Sequence, residues 1–253
     1  MPLTLLVALS ARNIVRHRRR NLMLLLAIAI AVSTVLLANT FIRGMQYDMR
    51  DQSVGSLSGH IKVQAPGYAD EPGIGRGFAL AADWQEGTDA AAIAGWAARV
   101  RVPAVIMSER ENRGIQLVGI DPLQETISFL GSAVIEGDRL QGPDDKRILI
   151  GKEMANQLET AVNRRLVIIT QGADGLNREA GFRIAGTFDA EGTGLEKAYV
   201  FTGVRALQGL VDDAVITELS VRLTDDQFQP QVLRSLTDVF AGLDVKTWQE
   251  MDP

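Results

Sequence analysis

The 253-residue sequence predicts an α+β protein in two parts: one membrane-spanning helix, then a mixed α/β domain carrying a small β-rich insertion. Three observations predict it. Residues 22–42 run LMLLLAIAIAVSTVLLANTFI, 21 residues without a charge. Charge is divided by position: residues 1–50 hold seven Arg and one acid, Asp48, whereas residues 51–253 hold 19 basic and 30 acidic side chains. Beyond the apolar run, strand and helix patterns alternate, and frequent glycines break the middle of the domain into short apolar segments.

The apolar run is long enough, as a helix rising about 1.5 Å per residue, to cross a bilayer core of roughly 30 Å. Arg12, Arg16, Arg18, Arg19 and Arg20 precede it. Basic residues stay on the inner side of a span, so the N-terminus is expected in the cytoplasm and the acidic part outside. A cleaved signal peptide would carry a shorter apolar region ending in a small-x-small site; Leu37-Ala38-Asn39-Thr40 is a poor substitute for one. An uncleaved span over 22–43 therefore fits best. Ala27, Ala31, Thr34 and Ala38 share one helix face, where small residues let a neighbouring helix approach. Chance clustering of a common residue gives the same stripe, and the residues leave both readings open. Residues 1–21 form a basic segment, with Arg12, Arg16 and Arg19 on one side and Leu3, Leu6, Val7 and Ile14 on another, as in a helix lying at the inner membrane face. An arginine cluster can also bind nucleic acid. Immediately inside a span, lipid headgroups are the simpler partner, and no nucleic acid is expected.

Residues 44–253 read as one extracytoplasmic domain. In 59–64 (GHIKVQ), Ile61 and Val63 alternate as in a half-buried strand. Residues 65–87 are a Gly- and Pro-rich loop. Thr88-Asp89 resembles a helix start, with Ile93, Trp96, Ala97 and Val100 following at helical spacing. Strands are expected over 104–109 and 114–120, ending at Asp121-Pro122. Then come strands over 147–150, 165–170, 181–189 and 197–202, a short helix over 152–160 and another over 204–211. A strand over 217–223, a helix from Thr224 to Gly242 with Pro230 in its first turn, and a strand over 244–248 complete the domain. The organisation expected is one subdomain made of 44–120 and 204–253, sharing a sheet, with a β-rich subdomain of 121–203 inserted between its halves.

Little in the chain points to catalysis. The absence of cysteine excludes disulfides, a thiolate zinc site and a cysteine nucleophile. The two histidines, His17 and His60, give small scope for metal or triad chemistry. Gly151-Lys152 is followed by Glu153 and lacks the earlier glycine of a phosphate-binding loop. Leu57 stands where a nucleophile elbow needs serine. Asp144-Asp145, Asp212-Asp213 and Asp225-Asp226 read as turn and cap acids, and Trp84, Trp96 and Trp248 as core or interface residues. No cofactor, metal ligand or catalytic residue is assigned.

Several segments, in order, resemble the N-terminal part of ABC transporter permeases of the MacB/FtsX-like superfamily, in particular lipoprotein-releasing LolC/LolE-type permeases. These are Ala8-Leu9-Ser10-Ala11-Arg12-Asn13-Ile14-Val15-Arg16 before the span, Gly59-His60-Ile61-Lys62-Val63, Val118-Gly119-Ile120-Asp121-Pro122, ILIGKEMANQL over 148–158, and the segments 182–188 and 198–210. Asn163 stands where the family often has glycine before a strand. The resemblance implies a MacB-like periplasmic core domain, with a porter-like subdomain and a β-rich insertion, in the bacterial inner membrane. It implies a dimer with a second copy or paralogue, ATPase activity in a separate cytoplasmic ABC subunit, and export of lipoprotein or another substrate. The whole family machine has four spans, so the chain reads as a fragment carrying the first span and outer domain. The alternative is a stand-alone membrane-anchored binding or adaptor module.

Overall fold

In the computed structural model of the chain, residues 18–53, 57, 59–131, 133–190 and 194–251 are described. The basic segment expected over 1–21, with Arg12 and Arg16, lies outside them apart from its last residues. The chain divides into two compact units, Met1–Asp51 and Gln52–Pro253.

In the first unit, helix α1 spans Arg18–Ser53. Its stretch Arg19–Phe41 is long and apolar enough to cross a membrane, and none of it is buried within the chain. Apolar side chains exposed all round a helix of this length are the pattern of a membrane span. The helix runs beyond the expected end at 43 because no proline follows to stop it.

Among the described residues, the second unit is built on ten strands. In chain order they are β1 (Ile61–Gln64), β2 (Ile93–Met107), β3 (Asn112–Ile120), β4 (Val134–Gly137), β5 (Ile148–Gly151), β6 (Arg165–Gln171), β7 (Asn177–Asp189), β8 (Tyr199–Gly203), β9 (Glu218–Leu223) and β10 (Asp244–Thr247). The helices among them are α2 (Lys152–Gln157), α3 (Leu195–Ala198), α4 (Val204–Val211), α5 (Gln229–Val239) and α6 (Trp248–Met251). The strand order is β10-β1-β9-β2-β3-β8-β5-β7-β4, and β6 pairs with both β2 and β7. The strands β2, β3, β8, β5, β7 and β6 therefore close into a ring, which leaves no free edge around that core. Inward side chains fill it: Val102, Ile106, Leu117, Ile148, Ile168 and Ile184 are all buried there.

Strand β2 serves both parts of the domain. Its first half pairs with β9 from Ile93 to Arg99, and its second half pairs with β3 and β6. Strands β1, β9 and β10 come from the two ends of the domain yet share one sheet. Both β9 and β10 run antiparallel to β1, with α5 crossing between them. The first and last thirds of the domain thus share one sheet. Strand β3, grouped by sequence with 44–120, pairs with β8 of the inserted part, so pairing crosses that boundary.

One element differs in kind. The helix expected from Thr88 through Val100 is the start of β2; Asp89 caps only a single 3-10 turn, Ala90–Ala92, by accepting from the Ala91 N–H. The stretch is alanine-rich and its apolar spacing suits a helix, but Gly95 interrupts it and β9 offers a full ladder of partners. Tertiary pairing overrides a weak local preference. The face opposite Ile61 and Val63 on β1 is also not open, since Lys62 is buried. Asn163 takes a left-handed φ of 71°, a conformation asparagine tolerates better than other side chains, and its N–H donates to the Ile184 carbonyl. Asparagine thus fills the turn at which the resemblance expects glycine.

Candidate functional site

The sheet β1-β9-β2 has two unlike faces. On one, Ile61, Val63, Leu219 and Val221 pack under Val232 and Leu236 of α5, with Trp84 and Phe240 beside them. Trp84 and Trp96 meet edge to face at 5.5 Å, a packing role for both. On the other face, the register sets Glu218 between Gln64 and Arg99, and Ser220 between Lys62 and Ala97. The period of two along each strand puts these side chains together.

Arg99 is the centre of this second face and is wholly buried. It grips Glu125 with two hydrogen bonds, Nε to Oε2 at 2.9 Å and Nη2 to Oε1 at 2.5 Å. Its Nη1 donates to Glu218 Oε1 at 3.0 Å, to Ser220 Oγ at 3.2 Å and to the Leu57 carbonyl. Ser220 also donates to the Leu57 carbonyl, at 3.2 Å. Glu218, equally buried, lies 3.0 Å from Arg101 Nη2 and 3.6 Å from Lys62 Nζ. Arg101 in turn stands over the Tyr199 ring, 5.4 Å from its centroid, and its carbonyl accepts from the Tyr68 hydroxyl at 2.6 Å. A fork-shaped guanidinium suits such a centre, because it satisfies two carboxylates and a carbonyl from one rigid plane.

The cluster sets three cations, Arg99, Arg101 and Lys62, against two carboxylates, Glu125 and Glu218. Burial alone would raise the Glu218 carboxyl; the fields of Arg101, Lys62 and Arg99 override it and hold the group at about 2. Burial lowers the Lys62 ammonium to about 8, against the pull of Glu218. It raises the Tyr68 phenol to about 12. Burial acts to lower the Arg99 pKa too, but Glu125 and Glu218 lift it above the usual arginine value. The arrangement holds charges in place, with the Lys62 ammonium facing Glu218 and the Ser220 hydroxyl engaged with the Leu57 carbonyl. Among the described residues, no three His, Asp or Glu side chains converge to hold a metal. What it does is tie the Leu57 backbone, just beyond α1 in the chain, to β2, β9 and the segment around Glu125.

These residues are missing from the sequence reading. The signal was there in part: Lys62 sits between Ile61 and Val63, and Arg99 and Arg101 flank Val100, charges at positions where a strand alternates toward a core. Of the residues singled out by sequence, Arg19 and Arg20 are exposed in the first turns of α1, and Arg18 begins it. Ala27, Ala31, Thr34 and Ala38 lie along α1 and are exposed, and the Thr34 hydroxyl donates back to the Ile30 carbonyl at 2.8 Å. The acidic pairs serve turns and caps: Asp225 accepts from the Gln227 N–H, Asp145 from the Gln141 and Arg147 N–H groups, and Asp144 pairs with Arg205. His60 accepts from the Leu223 N–H through Nδ1 at 3.2 Å and has Asp226 at 3.3 Å from Nε2.

Comparison with known proteins places the fold. The family model described as MacB-like periplasmic core domain matches residues 22–239. The periplasmic region of MacB from Actinobacillus actinomycetemcomitans superposes with a TM-score of 0.53 at 9% identity, over 79% of this chain and 93% of that one. The extracellular domain of the noncanonic ABC-type transporter YknZ from Gram-positive bacteria superposes with a TM-score of 0.51 at 14% identity, over 74% of this chain and 99% of that one. No curated protein matches the chain in sequence. At these identities the structural likeness concerns the fold.

Proposed function

The chain belongs to the family of MacB-like periplasmic core domains, and from this we propose that it is the first span and extracytoplasmic domain of an ABC transporter permease. The carrying observation is that one family match takes in both the apolar helix and the mixed α/β domain, residues 22–239. In this reading a separate cytoplasmic ABC subunit hydrolyses ATP, and the permease passes the resulting movement to the outer domain. The Arg99 clamp supports that role. Leu57 follows α1 in the chain, and Arg99 and Ser220 tie its carbonyl to β2 and β9. A network of short charge-assisted bonds is suited to passing a displacement on, because its members have few alternative arrangements.

The N-terminus is placed in the cytoplasm on the strength of Arg12, Arg16, Arg18, Arg19 and Arg20, with the membrane as an interfacial partner for the basic segment. The face of Ala27, Ala31, Thr34 and Ala38 is assigned to helix packing within a dimer with a second copy or paralogue. Lipoprotein released from the inner membrane is the proposed cargo, on the sequence resemblance alone.

Two measurements test this. The chain has no cysteine, so single cysteines report topology cleanly. Ser10→Cys is expected to react with an impermeant maleimide only after lysis, and the exposed Leu176→Cys in intact spheroplasts; the reverse pattern overturns the orientation. Depletion of the protein is expected to leave lipoproteins in the inner membrane fraction; unchanged sorting removes the cargo assignment and leaves the permease assignment standing.

A further inference from the structure

The outside of the closed ring carries a patch of another kind. Val105 and Met107 on β2 pair opposite Ile169 and Val167 on β6, and Pro103 continues the row. Val105 is 41% exposed and Val167 40%. Glycines border this apolar ribbon on both sides, Gly114 on β3 opposite Val105 and Gly181 on β7 opposite Val167. Glycine within a strand weakens it and often marks a place where another backbone comes close. Among the described residues nothing comes close here: a Cβ added at either glycine would meet none of their atoms within 4 Å. The missing side chains leave the borders of the ribbon low and accessible from outside.

One end of the ribbon is cationic. Arg165 on β6 and Arg183 on β7 are directly opposite each other and both exposed. No ion pair joins either to a carboxylate among the described residues. Like charges directly opposite destabilise an antiparallel pair. This pair also stands in the part of the chain where acids outnumber bases, 30 to 19 over residues 51–253. A carboxylate supplied from outside would bridge the two guanidinium groups and remove the repulsion.

We propose that the outer face of β3-β2-β6-β7 docks a protein partner with an apolar edge or helix face ending in an acidic side chain, that acid seated on Arg165 and Arg183. Apolar contact across the glycine borders supplies burial, and the charge fixes the direction in which the partner lies. A second copy of this chain is the poorer match, since the acid on its own ribbon, Glu179, lies opposite Ile169 in the middle and not at an end.

The test uses a photo-crosslinking p-benzoylphenylalanine at Val105 in the full chain, in its own membrane, with the same probe at the exposed Leu123 as an off-face control. The expected adduct at Val105 joins a different protein through a segment with apolar residues beside Asp or Glu, absent from the Leu123 control. Arg183→Glu separates docking from folding. It sets a carboxylate opposite Arg165, so it should raise the melting temperature of the chain while cutting the adduct at least ten-fold. Arg183→Gln, which adds no charge, should reduce it by less, and changing the partner's acid to Lys should restore the adduct to the Arg183→Glu chain. An adduct to a second copy or to lipid, no adduct, a partner segment without an acid, or a yield unmoved by Arg183→Glu overturns the proposal.

Discussion

The two interiors of the outer domain are held together by different physics. Inside the ring and beside it, the cores are apolar: Ile148, Ile150, Ile168 and Ile184 fill one, and Phe188, Phe201 and Leu149 the next, with the Phe188 and Phe201 rings 5.3 Å apart. Across β1-β9-β2 the second face instead buries Arg99, Glu218, Lys62 and Glu125. Apolar packing stabilises in proportion to area and accepts many arrangements of similar volume. A buried ion cluster adds little net stability, because desolvation offsets much of the attraction, yet it penalises any arrangement that leaves a buried carboxylate without a cation. The ring is built to be stable, and the charged face is built to be kept in one geometry.

That contrast can be broken most strongly at its centre. Arg99→Met leaves two buried carboxylates without their main partner and is expected to cost about 3–5 kcal/mol, measured by equilibrium urea unfolding with Trp fluorescence. Phe188→Ala opens a cavity in the apolar core and is expected to cost about 3–4 kcal/mol by the same measurement. The loss should be the same at pH 4 and pH 7, whereas a pH-dependent loss would contradict the division drawn between the interiors.

The next effect concerns acid. With its folded pKa held at about 2 against an ordinary 4.5, Glu218 contributes stability that is complete above pH 4.5 and is lost as pH falls from 4.5 toward 2. The loss is about 3 kcal/mol, each pKa unit being worth roughly 1.4. Glu218→Gln should flatten that limb of the stability curve, and an unchanged limb would assign acid sensitivity elsewhere.

The smallest effect has the opposite sign. Lys62 is charged at pH 7 in a site whose burial lowers it to about 8. Lys62→Met is therefore expected to stabilise the chain by about 1–2 kcal/mol at pH 7. Between pH 8 and 10.5 the unfolded lysine keeps its proton and the folded one releases it, so the native chain gains stability as pH rises and the advantage of the variant shrinks.

How much of this was legible beforehand differs by element. The span, the acidic outer domain and nine of the ten strands among the described residues follow from apolar runs, alternation and turn residues, with β4 (Val134–Gly137) missed because its two apolar residues are adjacent and are followed at once by Glu and Gly. The first half of β2 reads as helix because Ile93, Trp96, Ala97 and Val100 fit a period near 3.6 as well as they fit a strand, and only the ladder with β9 decides between them. The charge cluster was only partly legible for a similar reason. Lys62, Arg99, Glu125 and Glu218 are far apart in the chain, and a lone charge within a strand reads as solvent-facing until its partner is known.

The sequence by itself determined that a charge-free helix with a basic flank precedes an acidic, cysteine-free α/β domain, because hydropathy, charge and strand alternation are local properties. The tertiary structure alone decided that β6 closes a ring by pairing with β2 and β7, and that Arg99 meets Glu125, Glu218 and the Leu57 carbonyl. Those choices depend on register between segments distant in the chain. A shift of one residue turns every side chain to the other face, and only the assembled sheet fixes which face becomes the interior.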